Sequence, residues 1–168
     1  MMDKGKIHGD RTIIYSQEVK IKPRIYVSAP MRGIKDKNYP LFFETRRLLR
    51  DLSCESILPP LIAQTYRELV KRIDAVPTVR EYFNEDCRNI CLYADAVVVV
   101  GDNKDIDKSK GVIAEIAVAR AIDVPVFKRG IPGTGGFRPD TWTMLTYQNG
   151  RFKNTTFSEW LEDKLGKE

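Results

Sequence analysis

Residues Ala96 to Val100 are an alanine and four valines with no polar residue among them, and Gly101-Asp102 follows at once. A strand with one wet face alternates apolar and polar side chains. A run without alternation predicts a strand covered on both faces, and such strands belong to parallel sheets whose crossover helices do the covering. The rest of the chain alternates accordingly. Arg24 to Ala29 is a β-rich run closed by Pro30 and Gly33. Pro40 to Leu52 has helical spacing at Leu41, Phe42, Leu48, Leu49 and Leu52, with Asn38 or Tyr39 as the start and Pro40 in the first turn. Ser56 to Leu58 predicts a strand stopped by Pro59-Pro60, Ala63 to Ile73 a helix, and Thr78 to Tyr93 another. After the valine run, Gly111 to Ile122 predicts a helix with Ile113, Ile116, Ala117 and Ala121 inward. Val124 to Phe127 predicts a strand, Gly130 to Pro139 a glycine-rich loop, Met144 to Tyr147 a last strand before a turn at Asn149-Gly150, and Phe157 to Leu165 a closing helix.

Together these predict an α/β fold: one flavodoxin-like or Rossmann-like domain over residues 21–168, with a five-stranded parallel sheet and helices on both faces. Residues 1–20 are expected to form a tail, with an edge strand at Arg11 to Tyr15 as an option. In open sheets of this kind ligands bind beyond the carboxyl ends of the strands, where the connections diverge. The loops Pro30 to Asn38 and Gly101 to Gly111 therefore carry the functional interest.

Composition narrows the chemistry. The chain has 168 residues, 30% of them charged, and no apolar run near the ~20 residues that span a bilayer, so no membrane association is expected. Met1 to Asp10 is polar, which makes the cytoplasm the expected location. The three cysteines, Cys54, Cys87 and Cys91, are an odd count and suit buried thiols better than a disulfide framework. The single histidine, His8, lies in the expected tail, so neither a metal site nor histidine-based acid–base catalysis is expected. No cofactor is implied, and chemistry falls to carboxylates and tyrosines. The net charge of +5 admits an anionic ligand. No basic run with interleaved aromatics stands out, so a small phosphorylated molecule is expected rather than nucleic acid.

Ser109-Lys110-Gly111-Val112-Ile113-Ala114-Glu115 is a loop entering a helix. Free N–H groups and the helix dipole make such an end an anion site; Ser109 adds a hydroxyl, and Gly111 admits close backbone approach. Glu115 lies about one turn inside, and helical side chains tilt toward the N-terminus, so its carboxylate can face the same mouth. A solvated acid near the helix start is the plain alternative, but Ile113, Ala114, Ile116 and Ala117 surround it with apolar neighbours. Arg32 is either a phosphate clamp or a surface arginine, Tyr26 either a site residue or a core aromatic, and Asp86 either a site acid or a surface one. Gly133-Thr134-Gly135-Gly136 fits a surface loop better than a lid. Trp142 and Tyr147 fit core packing better than base stacking. Lys104, Lys108 and Lys110 form a basic rim or a solvated loop.

Tyr26-Val27-Ser28-Ala29-Pro30-Met31-Arg32-Gly33 resembles the first strand and loop of the nucleoside 2-deoxyribosyltransferase superfamily. Asp86 to Val100 is similar to its middle segment, and Ser109-x-Gly111-Val112-x-x-Glu115, followed by Ala119 and Pro125-Val126, to its catalytic segment. The resemblance spans about residues 24 to 128. It implies a nucleophilic glutamate at Glu115, a tyrosine that positions it at Tyr26, and an aspartate near the leaving base at Asp86. Six residues before the glutamate, the transferases carry an aspartate, whereas the branch hydrolysing nucleoside 5′-monophosphates carries a serine, as here at Ser109. Ser28, Arg32, Gly33, Ser109 and Gly111 are then the expected substrate contacts. Pro30 departs from that branch, which has a serine in its place and so one more phosphate donor. The resemblance implies an N-glycosidase releasing free base and (deoxy)ribose 5-phosphate, with base exchange between nucleosides or nucleotide binding without turnover as alternatives. It also implies a homodimer or higher homo-oligomer.

Overall fold

The computed structural model describes residues 22–71, 76–129, 138–145 and 155–166. The sheet has five strands, β1 (Arg24–Ser28), β2 (Glu55–Ile57), β3 (Ala96–Val99), β4 (Val126–Lys128) and β5 (Thr143–Met144), in the order β2-β1-β3-β4-β5. The helices are α1 (Tyr39–Asp51), α2 (Pro59–Lys71), α3 (Val79–Tyr93), the short α4 (Asn103–Ile106), α5 (Lys110–Ala121) and α6 (Phe157–Leu165). This is the α/β flavodoxin-like order, and its switch point lies between β1 and β3.

The valine strand is central and wholly buried. Its neighbour β1 pairs with it in parallel, Tyr26 beside Val97 and Ser28 beside Val99. Period-two alternation sends Ile25, Val27, Ala96 and Val98 to one face, where Phe42 and Leu49 of α1 and Phe157, Trp160 and Leu161 of α6 cover them. Tyr26, Val97 and Val99 point to the other face, under Ile90 of α3 and Val112 and Ala119 of α5. Trp142 is fully buried in the first of these cores. Among the described residues no helix is long and apolar enough to cross a membrane.

Several expectations need correction. The last strand, β5, runs antiparallel to β4 (Phe127 opposite Met144), so the sheet is mostly rather than wholly parallel. Pro59 and Pro60 do not merely stop β2. They open α2, where the missing proline N–H is no loss. The inward face of α5 is Val112, Glu115 and Ala119, while Ile113 is 49% exposed and Ala117 and Ala121 also face outward. This helix is apolar almost all round, so periodicity could not select its face. Arg11 to Tyr15, His8, residues 130–137, Tyr147 and the Asn149-Gly150 turn lie outside the described residues.

Candidate active site

Tyr26 and Ser28 lie two apart on β1, so both side chains leave the sheet on the face that α5 covers. Both are fully buried, and both hydroxyls end on one carboxylate. Tyr26 donates to Glu115 Oε1 at 2.9 Å and Ser28 donates to Glu115 Oε2 at 2.5 Å. Glu115 is only 6% exposed. A buried carboxylate is costly unless its oxygens are satisfied, and here each oxygen receives an O–H. Burial still dominates and pushes the Glu115 carboxyl from 4.5 up to about 7, with the Ser28 and Tyr26 hydroxyls pulling the other way.

Asp86, in the second turn of α3, belongs to the same cluster. Burial, and then the charge of Glu115, push it from 3.8 up to about 7, while interaction with the Tyr26 hydroxyl partly offsets this. Tyr26 itself is raised by burial and by both acids, so it remains a neutral phenol and a donor at neutral pH. The adjacent Cys87 thiol is raised to about 11, mainly by burial, and stays protonated. A carboxylate nucleophile with a second carboxyl near it is thus the chemistry this cluster offers, and a thiolate is not.

Glu115 and Asp86 open onto a cavity of about 770 Å³ at the carboxyl ends of β1 and β3. Lys108, Ser109, Lys110 and Gly111, at the N-terminus of α5, line it. Ser109 Oγ accepts the Val112 N–H at 3.4 Å, which leaves the hydroxyl proton available to a ligand. Val79, Tyr82 and Phe83 of α3, with Pro59 and Ile34, line it with apolar and aromatic side chains. Arg32 stands exposed at the rim beside Gly33, whose φ of +73° is a turn conformation that favours glycine. Pro30 has a structural explanation. Its ring packs on Gly101, where an added Cβ would sit 3.2 Å from Pro30 Cδ, and its carbonyl accepts Asn38 Nδ2 at 3.1 Å.

The fold therefore gathers Glu115, Asp86, Arg32, Gly33, Ser109 and Gly111 around one cavity. Tyr26 and Ser28 stand behind Glu115, so Ser28, expected among the substrate contacts, gives its hydroxyl to the carboxylate instead. Of the basic rim, Lys108 and Lys110 line the cavity and Lys104 does not. Nothing in the sequence pattern marks Asp105, Tyr82 or Pro59 as cavity residues. Val79 and Phe83 have the spacing of helix core, because a cavity wall and a core share one apolar period. Among the described residues no group of three or more His, Cys, Asp or Glu could hold a metal ion.

Residues 23–128, which include every residue of this cluster, match a family described as a domain of unknown function, DUF4406, and the chain belongs to that family. No curated protein and no solved structure matches the chain.

Proposed function

We propose that the chain hydrolyses the N-glycosidic bond of a (deoxy)nucleoside 5′-monophosphate, with Glu115 as nucleophile. The observation that carries this reading is the buried Glu115 carboxylate, held on both oxygens by Tyr26 and Ser28, at the edge of a cavity lined by the α5 N-terminus. The 5′-phosphate would take the α5 end, with Ser109, Lys108 and Lys110, and the base the aromatic end at Tyr82 and Phe83. The sugar then falls between them, beside the two acids.

In the first step a Glu115 oxygen attacks the anomeric carbon, the C–N bond breaks, and Asp86 gives its proton to the departing base. In the second, water attacks the same carbon, its proton passes to Asp86, and the ester to Glu115 breaks to release sugar 5-phosphate. Glu115 must be ionised and Asp86 protonated. Both groups titrate near 7, so activity is expected to follow a bell centred near neutrality, with apparent values that belong to the pair.

A panel of ribo- and deoxynucleoside monophosphates, scored by chromatography for released base, tests the reading. Wild type should release base and Glu115→Ala should not; equal release would remove Glu115 from the mechanism. Reaction with nucleosides but not monophosphates would overturn the phosphate assignment. Transfer of the sugar to an added free base would make the enzyme a deoxyribosyltransferase. A thermal shift with nucleotides and no product would make it a binding module. Two further parts of the reading are a cytoplasmic location and a homodimer, for which light scattering after gel filtration is the check.

A further inference from the structure

Outside the cavity, α1 carries a pattern that catalysis does not use. Tyr39, Phe43, Arg46 and Arg50 recur at i, i+4, i+7 and i+11, which aligns them along one flank of the helix. Tyr39 and Phe43 are 37% and 44% exposed and stand edge to face, ring centroids 6.5 Å apart. Arg46, Arg47 and Arg50 are all exposed. The nearby acid Glu44 is engaged by the buried Arg129 at 3.3 Å, away from these arginines.

The aromatic surface continues to the cavity mouth. Arg67 of α2 donates from Nε to the Tyr82 hydroxyl at 3.3 Å and lies within electrostatic range of Tyr39. Tyr66 packs edgewise on Tyr82, centroids 5.9 Å apart, and Tyr82 lines the cavity. From Tyr39 to Arg50 the flank runs about 16 Å along the helix axis, longer than one nucleotide needs.

We propose that this flank binds single-stranded nucleic acid, with bases stacked on Tyr39 and Phe43 and phosphates held by Arg46 and Arg50. Exposed rings beside exposed guanidinium groups are what an unpaired strand uses, because every base has a face to stack and every linkage a charge to neutralise. A duplex hides its base faces and leaves the two rings without a role. An acidic protein segment would use the arginines and leave the rings unexplained in the same way. The sequence hides the pattern because helical spacing disperses it over twelve residues instead of gathering it into a run.

The test is fluorescence polarisation of a labelled 20-nucleotide deoxythymidylate strand with the full chain across a salt series. Saturable binding that weakens with salt is expected. Arg46→Gln with Arg50→Gln should lower the slope of log affinity against log salt by about 1.4, at about 0.7 for each phosphate no longer neutralised. Tyr39→Ala with Phe43→Ala should weaken binding about tenfold or more and leave that slope unchanged. Glu115→Gln should bind as wild type does, so the glycosidase reading can fail without touching this one. Equal competition by polyglutamate, equal affinity for a duplex, no saturable binding at low salt, or unchanged binding by variants of normal thermal midpoint would each overturn the proposal.

Discussion

The helices α3 and α5 present their N-termini to the same cavity and close them in opposite ways. At α3 the Thr78 hydroxyl accepts the Glu81 N–H at 3.3 Å and the Glu81 carboxylate accepts the Thr78 N–H at 2.6 Å. The Thr78 N–H, and the Thr78 hydroxyl where it donates to the same carboxylate at 2.8 Å, hold Glu81 below the ordinary carboxylate range. The helix has supplied its own anion. At α5 the cap is a neutral serine, no acid lies in the first turn, and Lys108 and Lys110 flank it. One end is electrostatically complete and offers the cavity only Val79, Tyr82 and Phe83; the other still attracts negative charge. The difference teaches that helix ends are not equivalent anion sites: the identity of the third helical residue decides whether a ligand or the protein itself occupies them.

The largest effect expected of this contrast concerns Glu115, the acid that α5 carries beside the cavity. Glu115→Gln should lower base release at least about 1,000-fold. It should also stabilise the fold above neutrality. The folded carboxyl titrates at about 7 against an ordinary 4.5, so the native state holds a proton that the unfolded chain loses. Stability then falls as pH rises through that window, and removing the group should flatten the fall and add roughly 2–3 kcal/mol at pH 8, measured by denaturant melts from pH 4 to 8. A variant no more stable than wild type at pH 8 would contradict the buried, uphill carboxylate.

Next is Ser109→Asp, which gives α5 the kind of acid that α3 has. Aspartate caps as well as serine, so the thermal midpoint should hold. KM for monophosphates should rise about 100-fold with little change for nucleosides, on the scale of one charge-assisted hydrogen bond removed plus repulsion. Equal effects on both substrate classes would remove the phosphate from the α5 end. Phe83→Ala should raise KM about tenfold for nucleosides and monophosphates alike, as removal of one stacking partner predicts; a phosphate-selective effect would reverse the orientation. Smallest is Thr78→Ala at α3. It should cost about 1 kcal/mol of stability in thermal melts and leave the monophosphate-to-nucleoside KM ratio untouched.

Much of the fold was legible because local rules agreed. The unbroken valines required two covered faces, the span from Thr78 to Tyr93 read as one helix, and Gly101 ended the strand. The direction of β5 was not legible, since two paired residues carry too little pattern to reveal polarity. The site was legible in part. An acid in an apolar helix drew notice to Glu115, but its partners lie 87 and 89 residues away, and spacing alone cannot say that both hydroxyls meet it. Ser28 shows the limit most clearly. A serine at a strand end serves a ligand or a neighbour equally well until the facing helix is in place.

Pro30 and Gly101 are keyed to each other across the switch point: the proline ring fills the space that any larger residue at 101 would need, and φ of +127° at Gly101 already favours glycine. Replacing Pro30 by serine would put a hydroxyl at the cavity and remove the ring that packs on Gly101, so one exchange would alter a cavity-lining group and a contact between two loops together.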